Sequence, residues 1–219
     1  MHPLFEGLAK ELRGAGLKVE VVPGWKTRGR PGLFDPIGVM DHHTASAAGS
    51  GDHPALGIVT HGRSDLPGPL ANFVLARSGK VIIVAAGRCN HAGAGGPFRF
   101  IGRDAGNARC VAIEAENDGV GEPWSTEQMG AYVLLNAVLL ERLERDHTYT
   151  VAHKEYTTRK IDPNFDMATF RKRVKRTMVR LGEKRWQLSA VKVITGRKNA
   201  RLRARALRRS GWNVVVKPK

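Results

Sequence analysis

The segment 38-GVMDHHTASAAGSGDH-53 decides the fold, because a short apolar run leads directly into two adjacent histidines. Residues 38–40 have the character of a buried strand, and the small polar residues 44–51 are typical of a loop. Successive strand side chains point to opposite faces, so only one of His42 and His43 can reach a given pocket. The pair is therefore either a hydrogen-bonded surface pair or a metal ligand with its neighbour.

Apolar patterns on both sides of this segment predict strands that alternate with helices. Besides the histidine strand, strands are predicted at residues 17–22, 70–76, 80–85 and 110–117, and the strands at 70–76 and 80–85 are predicted to form a hairpin. Residues 148–156 are predicted to be a strand that runs into a loop. Helical spacing and end signals predict helices at residues 3–15, 54–62, 125–143 and 167–181. We therefore expect an α/β fold with a mixed central β-sheet flanked by helices.

Charge divides the chain into two parts. Residues 1–170 hold 18 Lys and Arg against 19 Asp and Glu, whereas residues 171–219 hold 18 Lys and Arg and one Glu. We predict a main domain at 1–182 and a small basic appendage at 183–219, which has a strand–helix–strand (β-α-β) pattern. So basic a segment favours a polyanionic partner: nucleic acid, an anionic lipid surface or an anionic cell-wall polymer.

Composition and length limit the other possibilities. The 219 residues are 42% hydrophobic, which excludes wholesale disorder. No apolar run approaches the roughly 18 residues needed to cross a bilayer, and the N-terminus lacks a signal-peptide pattern. We therefore expect synthesis and retention in a cytosol. Cys89 and Cys110 lack metal-binding or redox spacing and are interpreted as buried free thiols, with a disulfide bridge between them as the alternative.

A second candidate ligand segment is 151-VAHKEYTTRKIDPNFDM-167. His153 follows a predicted strand, and Asp162 lies nine residues later in a loop. Imidazole nitrogens and carboxylate oxygens are ordinary zinc ligands, and a catalytic zinc takes three protein ligands and leaves one position to water. One of His42 and His43, with His153 and Asp162, would supply that set.

Five motifs strengthen this hypothesis: HHTAS, NHAG, VAIEAEN, AHKEY and RKIDPNFDM, in that order. Together they resemble the zinc-dependent N-acetylmuramoyl-L-alanine amidase family, which includes peptidoglycan recognition proteins and amidase-type phage lysozymes. The segment 22-VPGWKTRGRPGLFDPIGVMDHHTAS-46 is especially similar to amidase modules of endolysins from phages of actinobacteria. The resemblance spans residues 17–175.

The resemblance implies roles for individual residues. It assigns zinc binding to His42, His153 and Asp162, and it leaves His43 beside the site with the substrate-binding residues. It implies a base on the strand VAIEAEN, for which Glu114 is favoured by motif position.

Three further roles follow from the resemblance. Glu116 is the alternative base and otherwise a substrate-binding residue, and His91 lines the substrate groove unless it is a plain loop histidine. Lys160 stabilises an oxyanion unless it is a solvated loop charge. Where some family members have a catalytic tyrosine, this chain has Ala71, which puts a tyrosine-assisted mechanism in doubt.

The function implied is hydrolysis of the amide bond between N-acetylmuramic acid and L-alanine in peptidoglycan. A phage endolysin that waits in the host cytoplasm until it is released to the wall is expected; a bacterial autolysin and a non-catalytic peptidoglycan-binding protein are the alternatives. We expect the basic segment to bind anionic wall polymers rather than nucleic acid. Its candidate contacts are Arg201, Arg205, Arg208 and Arg209.

Overall fold

The computed structural model describes residues 1–194, with side chains described as far as residue 183. The chain divides into two units, Met1–Lys175 and Arg176–Lys219. Within the described part, no helix is both long enough and apolar enough to cross a membrane. Cys89 and Cys110 are buried free thiols, as the sequence predicts.

In residues 1–194, the strands form one six-stranded sheet and one small hairpin. Their bounds are β1 Val19–Val21, β2 Gly38–His43, β3 Gly62–Arg63, β4 Leu66–Pro67, β5 Phe73–Leu75, β6 Val81–Ile83, β7 Cys110–Ala115 and β8 Thr150–Ala152. The sheet has the order β1-β6-β5-β7-β2-β8, and β3 pairs with β4. Only the β5–β6 pair of the large sheet is antiparallel. The predicted mixed sheet and the predicted β5–β6 hairpin are therefore confirmed.

Helices connect and flank these strands. Their bounds are α1 Leu8–Ala15, α2 Leu56–His61, α3 Gly106–Arg109, α4 Thr126–Arg142, α5 His153–Tyr156 and α6 Met167–Ile194, with 3₁₀ turns at Pro3–Phe5 and His147–Tyr149. Helix α4 begins where the sequence predicts, because the Ser125 side chain accepts a hydrogen bond from the backbone N–H of Gln128.

Two local expectations are wrong. Residues 153–156 form a helical turn instead of a loop, and α6 continues to Ile194, so the first strand of the predicted β-α-β appendage is helical as far as Ile194. The rest of the predicted β-α-β appendage lies outside the described residues. The domain division at residue 182 stays a prediction.

The face of the sheet that packs on α4 contains a buried polar network. Asp41 of β2 is fully buried; its Oδ1 accepts from Asn136 Nδ2 at 2.9 Å, and its Oδ2 lies 2.7 Å from Thr150 Oγ1. The same Thr150 oxygen lies 2.6 Å from Asn136 Oδ1. A threonine hydroxyl has one hydrogen, so both contacts are hydrogen bonds only if Asp41 carries a proton. Burial raises the pKa of Asp41 to about 7, which agrees with a neutral carboxyl.

Helix α4 also holds the end of β2 through Tyr132. The pairing of β2 with β8 ends at Asp41 and Ala152. Beyond that point, the backbone N–H of His42 donates to the Tyr132 hydroxyl at 3.0 Å, and the hydroxyl donates to the His42 carbonyl at 2.9 Å. The buried tyrosine therefore replaces a strand partner and fixes the backbone of His42.

Replacing Asp41 by asparagine tests the protonated network. The native carboxyl keeps its proton up to about pH 7, whereas in the unfolded chain it loses the proton near pH 4. Stability contributed by Asp41 is therefore lost as pH rises from about 4 to about 7, by a few kcal/mol. An asparagine side chain makes the same hydrogen bonds but does not titrate. In a buffer that contains a chelator, the free energy of unfolding of Asp41→Asn relative to wild type should therefore rise as the pH rises from about 4 to about 7. Urea unfolding at several pH values measures the difference in unfolding free energy between the variant and wild type. A difference that does not change with pH would contradict a neutral Asp41.

Replacing Tyr132 by phenylalanine tests the support of His42. The ring is kept, but the buried N–H and carbonyl of His42 lose their partner, so the chelated protein should lose about 1–3 kcal/mol of unfolding free energy. Tyr149→Phe is the matched control, because the Tyr149 hydroxyl makes no hydrogen bond to any described residue and its ring stacks on Phe100. We expect the control to change stability by less than about 0.5 kcal/mol. Equal losses in the two variants would contradict the role of the hydroxyl.

Candidate metal and active site

The candidate site lies at the carboxyl ends of three neighbouring parallel strands. His42 in β2 pairs in register with Glu114 in β7, and His153 directly follows β8. In open α/β sheets, bound molecules and ions lie outside the carboxyl ends of the strands. The topology therefore brings together residues that are far apart in the sequence.

Three predicted ligands converge on one point. Asp162 Oδ2 lies 3.0 Å from His42 Nδ1 and 3.1 Å from His153 Nδ1. All three residues are buried, and one donor atom from each lies within 4.8 Å of the others. Two imidazole nitrogens and a carboxylate oxygen are the donor types that a zinc ion accepts, so the residues fit the expected metal.

The charge states of this group suit metal binding. Burial, followed by the charge of the neighbouring His153, lowers the pKa of His42 to about 4. Burial opposes ionisation of Asp162, but hydrogen bonds from His153 and His42 bring its pKa well below the usual range. At neutral pH the site therefore presents a neutral His42 and a carboxylate anion, the forms that coordinate a metal.

The loop that carries Asp162 is fixed from several sides. The backbone N–H of Lys154 donates to the Asp162 carbonyl at 2.8 Å, and Lys154 Nζ donates to the Phe165 carbonyl at 2.8 Å. Trp124 Nε1 donates to Asn164 Oδ1 at 2.7 Å. These contacts hold the Asp162 carboxylate in place independently of its hydrogen bonds to the two histidines.

His153 is fixed by the start of α5. The Glu155 carboxylate accepts a hydrogen bond from the backbone N–H of Ala152 at 2.9 Å. Two guanidinium nitrogens of Arg171 in α6 donate to the same carboxylate, at 2.7 and 2.9 Å. On the far side of the ring, His153 Nε2 lies 3.0 Å from the Ala92 carbonyl. The sequence prediction missed Glu155 and Arg171. The glutamate three residues after Ala152 is the signal that could have identified the helix start.

Glu114 is the acidic residue beside the ligands. Its Oε1 lies 3.9 Å from His42 Nδ1, and its side chain keeps 18% of its surface exposed. Its Oε2 makes no hydrogen bond to a described residue. Burial, followed by the charge of Asp162, raises the pKa of Glu114 to about 8. The carboxyl can therefore exchange a proton near neutral pH.

Glu116 lies in a buried network of hydrogen bonds. It is fully buried, and its carboxylate accepts the Ala55 N–H and the Thr44 hydroxyl, both at 2.9 Å, with Arg77 at 4.0 Å. These contacts bind the loop after β2 to the sheet. These contacts give Glu116 a structural role, and its assignment as an alternative base or a substrate-binding residue stays a prediction.

His43 lies outside the group of ligands. Its ring packs so closely over Gly119 that a Cβ on that glycine would lie 2.2 Å from His43 Nε2. Only 7% of His43 is exposed. The alternation of side chains along β2 thus separates the two histidines, and a substrate contact of His43 stays a prediction.

His91 and Lys160 both lie near the ligands but differ in exposure. His91 is 9% exposed, and its Nδ1 lies 3.1 Å from His42 Nε2. Burial, with the neighbouring His42, holds the pKa of His91 well below its usual range, so the ring is neutral. Lys160 is exposed, and its charge contributes to lowering the pKa of His42 and opposes the raised pKa of Glu114.

Ala71 is buried, and the four predicted tail contacts lie outside the described residues: Arg201, Arg205, Arg208 and Arg209.

Comparison with solved structures finds the same fold in several other proteins. The endolysin N-acetylmuramoyl-L-alanine amidase LysCS from Clostridium intestinale is 21% identical, with a TM-score of 0.52 over 74% of this chain and 98% of that chain. A mutant endolysin from Bacillus subtilis is 16% identical, with a TM-score of 0.55 over 72% of this chain and 99% of that one. AmpDh3 from Pseudomonas aeruginosa, solved with an anhydromuramic pentapeptide, is 17% identical, with a TM-score of 0.51 over 67% of this chain and 63% of that chain.

Sequence comparison identifies the family. No match is found among curated proteins. The sequence model of N-acetylmuramoyl-L-alanine amidases matches residues 34–165, which include β2, β7, β8 and all three donor residues. Because the match covers more than half of the chain, the protein belongs to the N-acetylmuramoyl-L-alanine amidase family of hydrolases.

Proposed function

We propose that the protein is a zinc-dependent peptidoglycan hydrolase that cleaves the amide bond between N-acetylmuramic acid and L-alanine. The observation that carries this proposal is the convergence of His42, His153 and Asp162 beside the carboxyl of Glu114, in a chain of the amidase family. When bound to these three residues, a zinc ion supplies Lewis-acid chemistry, which polarises a carbonyl and makes water a stronger acid.

Glu114 moves the proton in this proposal. Its pKa of about 8 in the metal-free site lies close to the pH of a cell. A carboxyl with such a pKa can take a proton from the attacking water and return it to the departing amine. Because Glu114 pairs with His42 across β2 and β7, its carboxyl is held beside the ligands by the sheet itself.

Lys160 is proposed to stabilise the negative charge that develops on the carbonyl oxygen. Its charge already acts on His42 and Glu114 from an exposed position two residues before Asp162. A cation aimed at a developing oxyanion lowers the barrier more than it lowers the energy of the bound substrate.

The cellular role is proposed to be that of a phage endolysin, held in the host cytoplasm until it reaches the wall. Two of the proteins with this fold are endolysins. A bacterial autolysin is the alternative. A non-catalytic peptidoglycan-binding protein is disfavoured, because the chain keeps three donors and a free carboxyl together.

The basic C-terminal segment is proposed to hold the enzyme on anionic wall polymers. Residues 171–219 contain 18 Lys and Arg and one Glu, and Lys172, Arg173 and Lys175 are already exposed on α6. Arginine suits phosphate because its planar fork donates two parallel hydrogen bonds. The four proposed tail contacts are known from the sequence alone.

Removing any one ligand tests the metal site. His42→Ala, His153→Ala and Asp162→Ala should each lose most bound zinc and nearly all amidase activity, because two protein donors hold zinc poorly. His43→Ala is the control and should keep the metal. Zinc content by elemental mass spectrometry decides the outcome: full occupancy in the His42 variant, with loss in the His43 variant, would reverse the choice of ligand.

Digestion of purified peptidoglycan tests the reaction and the base together. Mass spectrometry of the wild-type digest should show stem peptides that begin with free L-alanine. Glu114→Gln keeps the shape of the side chain and the bound zinc, but should lower turnover by roughly 10²-fold or more. Glu116→Gln is the control, which we expect to lose stability while keeping turnover per folded molecule. An active Glu114→Gln together with a folded but inactive Glu116→Gln would exchange the two roles, and a digest cut at another bond would overturn the proposed function.

Neutralising the tail tests wall binding without shortening the chain. With Arg201, Arg205, Arg208 and Arg209 changed to glutamine, the protein should cleave soluble muropeptides at the wild-type rate. It should sediment less with intact walls, and the difference should shrink as salt rises. A chain ending at Gly182 should behave in the same way. Competition with duplex DNA separates the alternatives, because a tail that prefers DNA to wall fragments would contradict the proposal.

A further inference from the structure

Both nitrogens of the His42 ring have neighbours, on opposite sides. Nδ1 faces Asp162 Oδ2 at 3.0 Å, whereas Nε2 faces His91 Nδ1 at 3.1 Å. His153 is arranged in the same way, with Nδ1 toward Asp162 and Nε2 3.0 Å from the Ala92 carbonyl. The two ligand rings therefore rest on consecutive residues of the NHAG motif.

These contacts determine where the protons lie when a metal is held. A neutral imidazole that gives one nitrogen to a metal carries its hydrogen on the other nitrogen. With Nδ1 at the metal, Nε2–H of each ligand must donate, and the facing groups must accept. The Ala92 carbonyl accepts from His153, and the lone pair on His91 Nδ1 accepts from His42. The hydrogen of His91 then lies on its own Nε2.

On this geometry we propose that His91 is a positioning residue that fixes the ring orientation and tautomer of His42, and that residues 91–92 together form the outer support of the metal site. The inference rests on the proposed zinc-dependent function. It changes the role that sequence resemblance gave to His91. Its Nδ1 is occupied by His42, and its Nε2 is buried, so neither nitrogen faces an open groove.

The supporting segment is itself anchored. One oxygen, Asn107 Oδ1, accepts the backbone N–H groups of His91 at 2.9 Å and of Ala92 at 2.8 Å. The N–H of Asn90 donates to the Pro69 carbonyl at 2.9 Å. Gly106 lies so close to Ala92 that an added Cβ would be 2.4 Å from the Ala92 methyl group. Asn107 thus holds both supports through one side chain.

Zinc affinity of the full-length protein tests the inference directly. Asparagine places an acceptor close to the position of His91 Nδ1, and leucine has the same shape without an acceptor. In competition with a chromophoric chelator, His91→Leu should raise the zinc dissociation constant about 10- to 100-fold, the usual effect of losing a group that orients a ligand. His91→Asn should stay close to wild type. The cobalt(II) absorption spectrum should change in His91→Leu and be restored in His91→Asn.

A second matched pair covers the case in which His91→Leu does not fold. Asn107→Asp keeps an accepting oxygen, and Asn107→Leu removes it, so only the leucine variant should bind zinc more weakly. Equal zinc affinity and equal cobalt spectra in the leucine and polar variants at both positions would overturn the inference. A KM raised in both His91 variants with unchanged zinc affinity would also overturn it, because that result assigns His91 to the substrate. A wild-type protein that binds no zinc would overturn the proposed function, and the inference with it.

Discussion

One carboxylate oxygen, Oδ2 of Asp162, faces the rings of His42 and His153 at the same time, and the rest of the site depends on this shared contact. Burial alone would favour a neutral carboxyl; the two imidazoles reverse that preference and keep the anion. The contact joins residues 120 positions apart in the chain. It can form only if the strands, the loop after α5 and the helices behind them are all in place.

Each ligand is therefore held by a different part of the fold. The backbone of His42 is held by Tyr132 of α4, and Asn164, two residues after Asp162, is held by Trp124. The Ala92 carbonyl faces the far side of His153. Sites that bind metals tightly need such support, because a ligand displaced by even a fraction of an ångström loses much of its bond to the metal.

The sequence predicted the sheet and the ligand positions, because these depend on local patterns: apolar runs mark the strands, and the candidate ligands lie at their ends. It could not show the buried partners of Glu116, because alternation relates side chains only within a strand, and β7 ends at Ala115. It missed the extension of α6 through 186–194, where β-branched residues favour a strand, because an existing helix adds residues without a new nucleation step. The partners of Tyr132 depend on tertiary packing, although polar groups at positions 132 and 136 of an apolar helix were a signal of buried hydrogen bonds.

The buried polar network around Asp41, on one face of the sheet, explains why His42 and Glu114 lie side by side on the other face. β2 is buried along its whole length, so a pattern of apolar and polar faces cannot fix its pairing with β7. A shift of β2 by one residue would move Asp41 away from Asn136 and Thr150, and each buried polar group left unpaired would cost about 1–3 kcal/mol. The same shift would place Ile113 or Ala115, in place of Glu114, opposite His42. The buried hydrogen bonds of Asp41 thus select the one register in which the proposed base lies beside a proposed metal ligand.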